Sequence, residues 1–168
     1  MADITIKVAT EIVPASAADM VVKDAVDGTG THAVALAGEI CKSEHRLDHQ
    51  GREYRYVLGP VLIPNRLDLQ KDWVSPDAVE DACHRFMMKY QFVSDGHQRL
   101  VKASDAVIVE NYITPIDLKI SNHEIPKGTW MMGARIYDKG MMSQVDSGKY
   151  RGFSVEGDAL HIPKTYQT

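Results

Sequence analysis

The chain has 168 residues, 44% hydrophobic and 25% charged, with a formal net charge of −4, which is enough for one domain with a core of its own. The acidic balance and a pI near 5.9, without a cluster of Lys and Arg, exclude a broad nucleic-acid surface. No apolar run reaches the roughly 18 residues of a membrane span, and the opening residues MADITIK lack a signal-peptide core.

Taken in order, Ile4, Ile6 and Val8 alternate with polar residues and predict a strand with one buried face. Ser16 can cap a short helix over residues 19–25, and Asp27-Gly28-Thr29-Gly30 is a loop. Residues 1–30 are read as an arm and 31–168 as a single domain. His32 to Ile40 alternates as a strand, whereas the polar run from Cys41 to Gly51 reads as a loop or hairpin tip. Strand character resumes from Glu53 to Ile63, with Gly59-Pro60 as a bulge or kink. Pro64 to Asp72 is polar and irregular.

Ser75-Pro76-Asp77 is a helix start, with a capping serine, a proline at the first helical position and an acid in the first turn. Val79, Ala82, Cys83, Phe86, Met87 and Tyr90 then follow at helical spacing and predict one apolar stripe. Cys83 belongs to that stripe and His84 to its exposed edge. Ser94-Asp95-Gly96-His97 is a turn that delivers a histidine. Ala106 to Ile113 is a strand, with Val107, Val109 and Asn111 on one face and Ile108, Glu110 and Tyr112 on the other. Thr114 to Lys127 is a connection, and Gly128 to Ile136 is a further strand. Asp138 caps a short helix with Met141, Met142 and Val145 inward and Gly148 closing it.

The stretch Gly148-Lys149-Tyr150-Arg151-Gly152-Phe153-Ser154-Val155-Glu156-Gly157 is a short glycine-bounded strand with a serine at its centre. A serine that other backbone can approach closely is a candidate nucleophile, although the same residues also describe an ordinary half-exposed strand. The hydrolase elbow G-x-S-x-G is not satisfied, because Glu156 stands where its last glycine belongs. Without regular βαβ alternation, the expected class is α+β: a bent, mostly antiparallel sheet or barrel with one long and one or two short helices packed on it.

Other constellations are weaker. Cys41, His45 and His49 have metal-ligand spacing, but Lys42, Glu44, Arg46 and Asp48 intervene and a fourth ligand is lacking, so a solvated loop is expected and no metal. Neither a Walker loop nor G-x-G-x-x-G occurs, and no cofactor is expected. Cys41 and Cys83 are expected to be free thiols in a reducing cytoplasm.

Gly59-Pro60-Val61-Leu62-Ile63-Pro64, the helix Asp77 to Met88, His97, Val109-Glu110-Asn111-Tyr112-Ile113, Lys127-Gly128-Thr129-Trp130 and Ser147 to Gly157 together resemble the XkdF-type serine proteases of tailed phages. These are similar to the prohead proteases of capsid maturation and, more distantly, to the herpesvirus assemblins. The resemblance covers over half the chain and implies a bent β-barrel ringed by helices, with Ser154 as nucleophile and His97 as its base. In the family an acid on a later strand, or a second histidine in assemblins, orients the base, and that strand is expected to be missing or abbreviated here. Glu110 is then the first candidate, and Glu156, Asp158, His161, a bare Ser–His pair or a group from a neighbouring subunit are the alternatives. The resemblance implies cleavage of phage scaffold and major capsid protein, and of the chain itself, by a homo-oligomer inside the prohead in the host cytoplasm, with no nucleic acid or membrane as partner. The rival expectation is a non-catalytic virion or scaffold-associated protein on the same fold, and a metal-dependent enzyme using the histidine-rich loop ranks third.

Overall fold

The computed structural model describes residues 9–14, 38–66, 74–95 and 99–156. The expected strand over Ile4 to Val8, the helix over 19–25, the loop at 27–30 and most of the strand from His32 lie outside them. In chain order the elements are β1 (Ala9–Pro14), β2 (Gly38–Glu39), β3 (Lys42–Leu47), β4 (Glu53–Leu62) and α1 (Pro76–Lys89). Then come β5 (Val93–Asp95), β6 (Arg99–Leu100), β7 (Ala106–Ile113), β8 (Leu118–Ile120) and β9 (His123–Ile125). The last are β10 (Trp130–Ile136), α2 (Lys139–Asp146) and β11 (Tyr150–Glu156).

The described strands form three sheets: a five-stranded one in the order β2-β11-β1-β5-β6, a four-stranded one in the order β3-β4-β10-β7, and the β8-β9 hairpin. Only β1 with β5 is parallel. The class is therefore α+β, mostly antiparallel, with two helices among the described residues. One step of the chain joins the two large sheets. The Ile40 N–H donates to Arg151 O at 2.6 Å, and the next N–H, of Cys41, donates to Leu58 O at 2.9 Å. Gly59 lies under this crossing, where a Cβ would stand 3.0 Å from Glu39 O and 3.1 Å from Ile40 Cα, so only glycine lets the two backbones approach.

The inner strands of the four-stranded sheet, β4 and β10, are buried on both faces, and alternation along β4 shows how. Val57 and Val61 join a first cluster with Phe86 of α1, Trp130 of β10, Met141 of α2 and Phe153 of β11. Tyr54, Tyr56 and Leu58 join a second cluster with Cys41, Met131 and Ile125, on the opposite face. Burying a side chain such as Phe86 stabilises the fold by roughly 1.5–3 kcal/mol, so the first cluster is the main attachment of α1.

Helix α1 starts as its sequence dictates: Ser75 Oγ accepts from Ala78 N–H at 3.3 Å, Pro76 opens the helix, and Asp77 occupies its first turn. Val79, Ala82, Cys83 and Phe86 are buried and His84 is exposed, but Met87 is exposed instead of continuing the stripe. The buried face is narrower than the apolar spacing suggests, because the helix presents one stripe to β7 and β10 and Met87 lies beyond its edge. In α2, Asp138 Oδ1 accepts from Met141 N–H at 2.8 Å, Met141 and Met142 are buried, and Gly148 takes φ +71 just past the end.

Two segments read as irregular are strands. Residues 42–47, expected in a loop or hairpin tip, form β3, paired with β4 from Lys42↔Leu58 to Leu47↔Glu53, so that only the residues between the two strands are the hairpin tip. Its side chains are mostly exposed, so it carries no apolar alternation. Instead the Arg46 guanidinium lies 4.6 Å from the Tyr56 ring centroid and covers the second cluster from outside. The connection from Thr114 to Lys127 contains the β8-β9 hairpin, whose Ile125 is buried in that same cluster.

The face assignment along β7 also needs correction. Gly133 pairs with Glu110 and Ala134 with Ile108, so Val109 is an extra residue that resets the alternation. Ile108 consequently packs against the first cluster, while Tyr112 packs against the second and Glu110 bonds to one of its members.

Candidate active site

Ser154 lies on β11, which is held on both sides. Phe153 pairs with Ile12 of β1 and with Gly38 of β2, and Gly152 pairs with Val13 and Glu39. Tyr150 and Phe153 are buried in the first cluster and anchor the strand, and Gly152 between them is buried too. Ser154 occupies the next register row, opposite Glu11. The glycine-bounded stretch is thus an inner strand of the five-stranded sheet.

The same row continues across the sheet. Glu11 is also the partner of Ser94 in the parallel β1-β5 pair, and Ser94 pairs with Leu100 of β6. Ser94 is only 4% exposed, and its Oγ is buried without a hydrogen-bond partner among the described residues. His97, the expected base, falls between β5 and β6 in sequence but lies outside the described residues. Asp158 and His161 also lie outside them, and Glu156 is described only as the backbone partner of Ala9.

Glu110 is exposed on β7, and its Oε1 accepts from the Tyr56 hydroxyl at 2.9 Å. Burial first, and the neighbouring Glu110 carboxylate second, push the Tyr56 hydroxyl well above its ordinary range, so it stays protonated and remains a donor. Tyr56 belongs to the second cluster, whereas Phe153 belongs to the first. The four-stranded sheet therefore stands between the Glu110 carboxylate and the core beneath β11. The structure brings Glu110 together with Tyr56 and brings Ser154 into register with Glu11.

Cys41, His45 and His49 do not converge. Cys41 is buried, its Sγ donates to Leu58 O at 3.2 Å, and burial pushes its thiol pKa up. His45 lies between Glu53, at 3.6 Å from Nδ1, and Asp146, at 3.2 Å from Nε2, and Asp146 also meets Arg55. His49 is exposed at the hairpin tip. No group of three His, Cys, Asp or Glu that could hold a metal ion occurs among the described residues.

The Lys127-Gly128-Thr129-Trp130 stretch is scaffold. Gly128 takes φ +82, and its N–H donates to Thr114 O at 2.9 Å. Thr114 and Thr129 are both buried and both donate to Pro126 O, at 2.8 and 2.7 Å, while Thr129 N–H donates to Thr114 Oγ1 at 2.9 Å. The next residue, Trp130, is fully buried, and its Nε1 donates to Asn111 Oδ1 at 2.7 Å. These bonds fix where β10 starts, and with it the sheet on which the first cluster packs.

Glu11 and Ser94, which share the row of Ser154, carry no sequence motif, and only strand pairing links residues so far apart in the chain. No solved structure matches this chain. Among curated proteins it is similar to "Phage-like element PBSX protein XkdF" of Bacillus subtilis (strain 168), 29% identical over 107 residues, which are 64% of this chain and 38% of that protein. It is also similar to "Uncharacterized protein YqbD" of the same strain, 26% identical over 134 residues, which are 74% of this chain and 41% of that protein. The chain thus spans well under half the length of these relatives. The family model described as "Putative phage serine protease XkdF" matches residues 45–162, a span that runs from β3 through β11 and includes His97, Glu110 and Ser154. With more than half of its residues inside that match, the chain belongs to the XkdF-type phage serine protease family.

Proposed function

We propose that this chain is a serine endopeptidase of phage capsid maturation, with Ser154 as nucleophile and His97 as general base. The observation that carries the reading is the family match over residues 45–162, which takes in the Ser154 strand and the scaffold that anchors it. In this reading Ser154 Oγ attacks the scissile carbonyl while His97 takes its proton, help typically worth roughly 10²–10⁴ in rate. His97 then returns the proton to the leaving amine, and water repeats the sequence on the acyl-enzyme. Backbone N–H groups stabilise the tetrahedral oxyanion. The substrates are scaffold and capsid-protein segments, and the chain itself, acted on by a homo-oligomer within the prohead. The crossing at Ile40-Cys41, where one step of chain serves both large sheets, supports a bent, barrel-like closure of the herpesvirus-protease kind.

Glu110 is left out of this catalytic set, because its carboxylate is engaged by Tyr56 on the far side of the four-stranded sheet. That same observation is what favours the second reading, a non-catalytic virion protein on this fold. A fluorophosphonate probe separates the two. Ser154 Oγ displaces fluoride from phosphorus, so peptide mapping is expected to find one adduct, on Ser154, and none in Ser154→Ala. An unlabelled wild type, or labelling that survives the substitution, contradicts the protease reading.

A further inference from the structure

We propose that the cleft where the two large sheets meet binds a carboxylate, held between the guanidinium groups of Arg55 and Arg151. This is a second site, and it does not depend on the proposed serine chemistry.

The cleft measures about 380 Å³, within the roughly 300–1,000 Å³ typical of small-molecule sites. Arg55 and Arg151 line it, with Ile40, Val145 and Tyr150 as its apolar wall and Glu39 as its acid. Each arginine is placed by a feature of its strand. Along β4, Tyr54 and Tyr56 belong to the second cluster, so Arg55 alternates onto the face of Val57 and the first cluster. Helix α2 packs on that face and ends at Asp146, and the Arg55 side chain beside it is only 17% exposed. On β11 the register against β1 slips, from Val13↔Gly152 to Pro14↔Tyr150, so Arg151 is an extra residue. The bulge lets Tyr150 and Phe153, three positions apart, both enter the first cluster, and it turns Arg151 into the cleft.

The bonding of Arg55 is incomplete. A guanidinium grips a carboxylate best through two parallel N–H groups. Asp146 Oδ1 meets only Nη2 of Arg55, while its Oδ2 lies 3.2 Å from His45 Nε2. Asp146 is thus divided between two partners, and Arg55 Nε is buried with no hydrogen-bond partner among the described residues. Native proteins rarely leave a buried charged donor unpaired, and a ligand carboxylate reaching Nε would satisfy it. Arg151 donates from Nε to Gly148 O at 3.1 Å, which leaves its Nη groups for the ligand's second oxygen. Glu39 and Asp146 set the ligand's charge, since beside them a doubly charged phosphate is repelled more than a singly charged carboxylate. The apolar wall suits the methylene stem of a glutamate side chain or of a small dicarboxylate.

The test is an NMR titration of the full, isotope-labelled chain, read at the arginine Nε–H resonances. The probes are acetyl-Gly-Glu-Gly-amide, its glutamine counterpart, glutarate and inorganic phosphate, at constant ionic strength. The glutamate peptide is expected to shift the Nε–H signals of Arg55 and Arg151 saturably, and the glutamine peptide to bind at least about tenfold more weakly. Arg55→Lys, which keeps the charge but not the fork, and Arg151→Gln, at an exposed position, are each expected to lose about tenfold. Tighter binding of the peptide than of glutarate assigns the cleft to a protein segment, and the reverse to a free acid; either supports the carboxylate site. No saturable shift, equal binding of the two peptides, tightest binding of phosphate, or full affinity in folded Arg151→Gln overturns it.

Discussion

Trp130 donates its indole N–H to the Asn111 side-chain carbonyl at 2.7 Å, and the amide of the same Asn111 donates to Cys83 Sγ at 3.1 Å. One asparagine therefore ties β10, β7 and α1 together at the centre of the first cluster. In Asn111→Ala both partners remain buried, and a buried donor left unsatisfied costs roughly 1–3 kcal/mol. Urea unfolding is expected to show a loss of about 2–3 kcal/mol with an unchanged m-value. A loss below about 0.5 kcal/mol, the range of ordinary surface changes, contradicts this role.

Gly59 and Gly133 are both closely approached, but by different groups. A Cβ on Gly59 meets the backbone of Glu39 and Ile40, at 3.0 and 3.1 Å, which cannot move without disturbing the step between the two large sheets. A Cβ on Gly133 meets Glu110 Cβ at 3.0 Å, which is fixed to the β7 backbone, and Glu110 Cδ at 3.2 Å, which can rotate away. Gly59→Ala and Gly133→Ala are each expected to destabilise by roughly 1–3 kcal/mol, the usual cost of overpacking. Chemical denaturation of both variants checks this. A loss below about 0.5 kcal/mol in either variant contradicts the close approach at that glycine.

The Tyr56–Glu110 bond assigns Glu110 to the stability of the four-stranded sheet. A double-mutant cycle of Tyr56→Phe and Glu110→Ala is expected to give a coupling of about 1 kcal/mol, the net value of a typical hydrogen bond. Additive losses, with no coupling, contradict that assignment.

The thiol of Cys83 gives a pH dependence. Burial raises its pKa from the ordinary 9.0 to about 11, against the opposing effect of the Asn111 amide. The unfolded chain loses this proton near pH 9 while the folded chain holds it to about pH 11. Stability from this group is therefore complete below pH 9 and declines as pH rises through that window. The urea midpoint is expected to fall between pH 9 and 11 and to fall less in Cys83→Ala. Identical slopes in the two proteins contradict the assignment. The raised hydroxyls of Tyr56 and Tyr112 act in the same direction above pH 10.

Elements whose signal is local were legible in the sequence. Ser75-Pro76-Asp77 started α1, Asp138 and Gly148 bounded α2, and β4, β7 and β10 announced themselves as runs of apolar and β-forming residues. β3 was not legible, because its exposed charges stabilise the sheet by covering Tyr56 and leave no apolar period to read. The β8-β9 hairpin was missed because three-residue strands are too short to show a pattern. The bulge at Val109 altered which residues share a face, and nothing local to AVIVENYI marks it; its cause is the pairing with Gly133 and Ala134. At the candidate site the same division holds. The Ser154 strand was visible from its glycines, whereas the row joining Ser154, Glu11 and Ser94 exists only once β1 inserts between β11 and β5.

The proposed reaction of Ser154 is peptide-bond cleavage. Its most direct measurement is co-expression of the full-length protein with the scaffold and major capsid proteins of its own phage, comparing wild type with Ser154→Ala by intact-mass analysis of every component. New termini on the scaffold or capsid protein are expected with wild type, and uncut partners with Ser154→Ala. Processing that persists in Ser154→Ala would contradict the role of Ser154.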